Sequence, residues 1–185
     1  MFNKFCLIFT LIFLSYSNFV YSNPKNAIGE DQNTVNILNN YFSKQTMVGK
    51  ANFQFLFWNM YDAKLISESG SYPSNKFALI LKYNKDFSKK SVVDETINQL
   101  KKQKTFNEKE LKEVNALLNK AFRKIKKNNK FIGIKNNDKA IFYFQNEKVL
   151  ETDNSEFIKI FFDIWLRENS QNPKFTQELL GKTKG

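Results

Sequence analysis

The chain has 185 residues, a formal net charge of +11, no histidine and a single cysteine, Cys6. With no imidazole, and with the thiol confined to the extreme N-terminus, a Ser-His-Asp triad, a Cys-His pair and the usual zinc sites are excluded. Asp, Glu, Lys and Tyr remain for proton transfer, six glycines form no Gly-rich phosphate cradle, and no cofactor is implied.

Residues 1–22 read as a secretory signal peptide. Lys4 gives a positive start, residues 5–14 form an apolar core too short to span a bilayer, and Val20-Tyr21-Ser22 offers a cleavage point near Ser22. The expected location is therefore periplasmic or secreted. Cleavage removes Cys6 and Lys4, which takes the stated +11 to about +10 and leaves no disulfide. What remains suits one domain with a single core. Lys101, Lys102 and Lys104 cluster, as do Arg123, Lys124, Lys126, Lys127 and Lys130. Such patches attract anionic surfaces. Export separates the chain from nucleic acid, so these lysines are expected to face water, with at most a weak attraction to an anionic membrane surface.

Residues 23–46 form a lead, expected to be partly disordered, with Pro24 and Gly29 in its polar first part. Residues 47–185 form the folded domain. Within residues 48–66, Ala51, Phe53, Phe55, Phe57, Tyr61, Ala63 and Leu65 share one parity, and Lys50, Asn52, Gln54, Asp62 and Lys64 the other. A period of two puts the apolar set on one sheet face. A single strand over the alternating residues 51–65 would span roughly 50 Å at about 3.3 Å per residue, far beyond the usual size. A bend, bulge or tight turn is therefore expected near Trp58-Asn59. Gly70 and Pro73 mark a loop, and the apolar run at residues 77–83 predicts a strand covered on both faces.

Two helices follow. Ser88 caps the first, with Val93, Ile97 and Leu100 as its apolar stripe; Asn107 and Glu110 form a capping pair for the second, with Leu111, Val114, Leu118 and Phe122 inward. Strands at residues 130–134 and 140–145 join across Asn136-Asn137-Asp138, and a third at residues 148–151 follows a turn at Asn146-Glu147. Asp153 with Glu156 reads as a capping box for a helix over residues 154–166, apolar nearly all round and so buried, with Lys159 and Asp163 paired on its thin polar stripe. Asn172-Pro173 opens a last short helix that Gly181 ends.

Taken in order over residues 47–181, VGKANFQFLFWNMYDAKL, FALILKYNKDF with Lys85-Asp86, NNDKAIFYFQNEKVLE, FIKIFFDIWL and ELLG resemble the bacterial chalcone isomerase-like proteins. The resemblance implies an α+β fold: a curved antiparallel β-sheet with helices packed on one face and an apolar ligand cleft between the layers. Plant members of the wider family cyclise a flavonoid precursor, and related members without that activity bind fatty acids. In the active relatives a strand arginine and nearby hydroxyl groups handle the anionic oxygen of the substrate. This chain has no arginine before Arg123, and the stretch where a hydroxyl is expected reads Asn59-Met60. Lysine, as a point charge, does not reproduce a bidentate guanidinium contact.

The ligand-binding candidates are Lys50, Trp58, Asn59 and Tyr61; no catalytic or metal-ligating residue is assigned. Each has a plainer reading: Lys50 as a sheet-edge cation in water, Trp58 and Asn59 as a structural bend, Tyr61 as a core ring with its hydroxyl at the rim. Asp62 and Asp86 read as surface partners of lysines, and Phe161, Phe162 and Trp165 as core. Three functions stay open: non-catalytic binding of a small apolar or amphipathic ligand such as a fatty acid, an intramolecular lyase or isomerase acting on an enone or phenol, and a structural or partner-binding envelope protein. The oligomeric state is not legible.

Overall fold

The alternating run folds back on itself. The structure, a computed structural model, describes residues 28–182, so the segment read as a signal peptide and the first part of the lead lie outside the described residues. β1 (Thr46–Phe55) and β2 (Trp58–Ser67) pair antiparallel, with Ala51 opposite Ala63 and Phe53 opposite Tyr61. The turn falls at Leu56-Phe57, earlier than expected, because Phe55 pairs with Trp58. A β-bulge follows at Met60, since Phe53 faces Tyr61 while Gln54 faces Asn59. β3 (Lys76–Tyr83), β4 (Lys130–Asn136), β5 (Lys139–Phe144) and β6 (Glu147–Thr152) complete a six-stranded antiparallel sheet in chain order.

Four helices cover one face: α2 (Lys89–Lys101), α3 (Glu108–Ala121), α4 (Ser155–Leu166) and α5 (Pro173–Leu179). Ser88 caps α2 by accepting from the Ser91 N–H, and Asn107 with Glu110 forms the expected capping box on α3. At α4 the cap is Asn154, which accepts from the Phe157 N–H, and not Asp153. The Thr152 hydroxyl satisfies the Asn154 N–H, and Glu156 turns away to pair with Lys104. The β5–β6 turn is at Gln145-Asn146, one residue earlier than expected, with Gln145 at φ 56°. Lys159 and Asp163 pair at 2.7 Å as expected.

The helix-covered face buries Ala51, Ala63, Leu65, Phe77, Leu79, Leu81, Phe131 and Phe142. The opposite face presents Ile66, Ala78, Ile80, Ile132, Ile134 and Ile141 to Ile28, Ile37, Leu38 and Phe42. Ile37 and Leu38 belong to α1 (Gln32–Asn39), inside the segment read as a lead. Its few apolar residues, Val35, Ile37 and Leu38, lie among Asn and Gln in a segment of only eight residues. This second layer is what buries β3 on both sides, as its unbroken apolar run requires.

Two rings depart from the parity expectation. Phe55 and Phe57 are 60% and 97% exposed, whereas Phe53 packs against the core. β3 ends at Tyr83, opposite Tyr61, so the hairpin beyond Tyr61 overhangs the sheet and its tip has no layer to pack on.

A charge cluster pins the start of α1. The side chain of Glu30, only 7% exposed, pairs with Lys64 at 2.6 Å and Lys130 at 2.5 Å. Lys130 also pairs with Asp31, which caps α1 by accepting from the Thr34 N–H. The hydrogen bond from Lys130 is the main cause that holds the Asp31 carboxyl down at about 2. A depressed folded value means that this contribution is complete above about pH 4 and is lost as pH falls through about 2. Hydrogen exchange during acid titration should show α1 losing protection on approach to about pH 2, and Lys130→Gln should move that loss up towards about pH 4. An identical profile in the variant would show that the cluster does not hold α1.

Candidate functional site: an apolar cavity between the sheet and its helices

The helical layer sits close to the sheet on one side and stands off on the other. Over β3–β5, Gly133 lets Phe162 come down onto the strands; a Cβ added there would lie 3.0 Å from that ring. Phe162 meets Phe77 edge-on at 4.8 Å, and Phe161 meets Phe142 at 5.0 Å. Such ring pairs close the interior between α4 and the strands, and the hollow beside Phe77 and Phe162 is a surface one rimmed by Lys135, Asp138, Lys159 and Asp163.

Over β1 and β2 the cover is α5 and the end of α4. Backbone-to-backbone contact seats α5: a Cβ at Gly49 would lie 2.4 Å from the Glu178 carbonyl oxygen, and one at Gly181 (φ 66°) 2.4 Å from that of Val48. Only glycine permits such approach. The Thr176 hydroxyl donates to the Trp165 carbonyl at 2.9 Å and so accepts from the Ser170 hydroxyl at 2.6 Å, tying α5 to the last turn of α4. The Trp165 indole N–H in turn donates to the Tyr61 hydroxyl at 3.0 Å.

Between these supports lies a cavity of about 180 Å³. Its walls are Phe53, Met60, Tyr61, Leu81, Tyr83, Phe87, Val92, Phe122, Ile164, Trp165 and Phe175, and Ser91, Glu95, Gln99, Gln171 and Asn172 add polar groups. Phe53 and Tyr61 stack at 4.9 Å, with Phe175 edge-on to both. The bulge matters here. Strict alternation would send Met60 and Tyr61 to opposite faces, yet both line the cavity.

Burial raises the pKa of Tyr61 and Tyr83 far above that of a free phenol. For Tyr61 the indole hydrogen bond opposes the rise and the charge of Glu95 adds to it. Both phenols are therefore neutral donors at physiological pH, which suits binding rather than proton abstraction. The Tyr61 oxygen accepts from Trp165; among the described residues its own proton meets no acceptor, and the Tyr83 hydroxyl meets no hydrogen-bond partner. Glu95 is the one formal charge in the lining; it accepts from the Gln99 amide at 2.7 Å, and no lysine or arginine accompanies it there. Among the described residues no three His, Cys, Asp or Glu side chains gather as a metal site.

Of the four residues singled out in the sequence, Tyr61 lines this cavity and three do not. Lys50 is on the other face of β1, in an open charged basin with Lys64, Lys82 and Lys130. Trp58 is at the hairpin tip, 56% exposed, with the Lys85 ammonium 3.9 Å from its ring centre. Asn59 accepts from the Asn84 amide at 2.9 Å, and the same amide donates to Asp62 at 3.0 Å. Asp86 pairs with Lys126 at 2.6 Å, as a surface partner should. Trp165, read as core, forms a wall of the cavity. Tyr83 was within reach of sequence reasoning: it shares the parity of Phe77, Leu79 and Leu81. Phe175 and Glu95 carried no signal, because their place depends on how the helices dock.

Replacing Tyr61 by Phe leaves the buried Trp165 N–H without an acceptor, a loss of about 1–3 kcal/mol. Urea denaturation should register it, with Tyr83→Phe near neutral by comparison because that hydroxyl gives up no partner. Equal stability of Tyr61→Phe and the parent would remove the indole–phenol bond as a support.

No family model matches the chain. An uncharacterized protein of Haemophilus influenzae is 31% identical over 149 residues, which is 77% of this chain and 71% of that protein. Among solved structures, a fatty-acid binding protein of Arabidopsis thaliana superposes with a TM-score of 0.57 at 14% identity, over 75% of this chain and 88% of that one. This likeness is one of fold, the α+β arrangement of chalcone isomerase-like proteins, with helices over a curved antiparallel sheet. The identity and coverage of the bacterial relative place the chain in one family with that Haemophilus influenzae protein.

Proposed function

We propose that the protein is a non-catalytic binder of a small apolar or amphipathic molecule, held between Tyr61, Tyr83 and Phe175, and that it works outside the cytoplasm. The carrying observation is the cavity itself: ring-lined, about 180 Å³, with two neutral phenol donors that have protons to give. Pockets of this kind, apolar with a few placed polar groups, are the usual small-molecule sites. The unfilled gap weighs against a purely structural role, for which side chains would close the space. The charged start and short apolar core of residues 1–22 support export. The Arabidopsis protein of the same fold is a fatty-acid binding protein, which supports an apolar ligand.

Size and charge narrow the class. A dry cavity of about 150 Å³ accepts benzene, so 180 Å³ holds one ring or a short alkyl segment. A longer chain must run out past the exposed polar residues of the lining, Ser91, Glu95, Gln171 and Asn172. About seven buried methylenes give on the order of 6 kcal/mol, against association costs of about 4–15 kcal/mol. Affinity therefore rests on the phenol hydrogen bonds and on a preformed site. A carboxylate head would face Glu95 with no cation in the lining to offset it. A head that is neutral, such as an alcohol, ketone or phenol, fits better than an ionised acid.

Calorimetric titration with decanol and with decanoate at neutral pH tests this. Decanol should bind more tightly, and Glu95→Gln should narrow the difference. Val92→Trp, which fills the cavity, should abolish binding of both while the fold persists. Binding of either ligand that survives Val92→Trp would move the site elsewhere.

A further inference from the structure

The large hydrophobic side chains that stand exposed among the described residues are four in a row: Phe55 at 60%, Leu56 at 75%, Phe57 at 97% and Trp58 at 56%. Scattered exposed apolar residues need no explanation; a contiguous set on a projecting tip does. The turn is also costly in itself. Leu56 takes φ 54°, a conformation in which glycine or asparagine is the usual occupant. A turn that only had to reverse the chain in water would be built from polar residues. Neither strand geometry nor the core requires this tip, because the β1–β2 pairing extends past the end of β3.

The charge around the tip is mainly positive, with the Asp62 carboxylate, hydrogen-bonded to Asn84, as a negative group at the same end. β3 ends and β4 begins at this same end of the sheet, with Lys82 opposite Lys130 and the Asn128 N–H donating to the Tyr83 carbonyl. The connections leaving that end are residues 84–90, with three lysines, and residues 122–129, with Arg123 and three more lysines. Against these seven cations the two segments carry one carboxylate, Asp86, already paired with Lys126. The Lys85 ammonium lies over the Trp58 ring, so aromatic and cation are presented together.

From this juxtaposition we infer that the Phe55–Trp58 tip inserts into the interfacial layer of an anionic phospholipid bilayer, with the basic connections that leave the neighbouring strands β3 and β4 meeting the headgroups. Aromatic and leucine side chains backed by lysine are what such an interface selects. A second copy of the chain fits poorly, since it would bring a like-charged end against this one. The consequence for ligand traffic follows from the chain: Phe87, two residues beyond Lys85, lines the cavity wall. A docked tip therefore brings the ligand site close to the bilayer. The tip stands on its own geometry and does not require the ligand reading to hold.

Trp58 is its own reporter, because the other tryptophan, Trp165, is buried. Full-length protein is titrated with vesicles of phosphatidylcholine containing about one quarter phosphatidylglycerol, with pure phosphatidylcholine vesicles alongside. The expected result is a blue shift of tryptophan emission with the anionic vesicles, roughly tenfold weaker apparent binding with the neutral ones, and no shift in Trp58→Phe. Leu56→Asp and Phe57→Asp, both at exposed positions, should each weaken the response on the order of a hundredfold while Trp165 emission stays as in the parent. Co-sedimentation with vesicles and no Trp58 shift would overturn the inference, since residues 1–22 or another surface would then be the anchor. A shift that appears without lipid and grows with protein concentration would overturn it in favour of self-association.

Discussion

The hydrogen bond from the Trp165 indole to the Tyr61 hydroxyl holds two layers of rings apart where rings elsewhere close the gap. Over β4 and β5 the sheet and α4 meet through Phe131, Phe142, Phe161 and Phe162, and the interior there is solid. Over β1 and β2 a polar tie of 3.0 Å links Trp165 to Tyr61. Hydrogen bonds set distance and direction, which hydrophobic contact does not. The Thr176–Trp165 bond and the close seating of α5 on Gly49 keep the remaining wall in register with that tie. The cavity is the space these fixed supports leave.

The same sheet serves two different faces and one end. Its helix-covered face holds the apolar site, its other face takes α1 through isoleucines and a lysine–carboxylate cluster, and its β1–β2 end carries exposed rings beside lysines. The high lysine content is thus not uniform in effect. Lys64 and Lys130 are committed to Glu30 in holding α1, whereas the lysines of residues 84–90 and 122–129 form a basic end. The cavity itself stays free of cations, and its single charge is negative. A chain that is basic overall therefore encloses a cavity with a neutral to acidic lining.

Much of the fold was legible because its signals are local. Alternation in residues 48–66 marked the first strands, Ser88 and the Asn107–Glu110 pair marked two helix starts, and the aromatic run of α4 marked a buried helix. The errors were of register. Parity assigned Phe55 and Phe57 to the core because the pattern cannot tell that β3 stops at Tyr83 and leaves the hairpin overhanging. The cap of α4 moved from Asp153 to Asn154 because Thr152 supplied the bond expected of Glu156. Helix α1 escaped because its burial depends on the isoleucines of four later strands. The site was legible only at Tyr61. Lys50 and Tyr61 are neighbours in the pattern but lie on opposite faces, and Tyr83, Phe175 and Glu95 reach the cavity through long-range packing that spacing does not encode.

Binding between the layers requires a ligand-sized apolar space at one place. Crystals pressurised with xenon locate such space directly, because the atom settles in apolar cavities. A xenon site is expected among Tyr61, Tyr83 and Phe175 and none between α4 and β4–β5. Xenon absent from that place, with the rings of Phe53, Trp165 and Phe175 closed against one another, would contradict such binding.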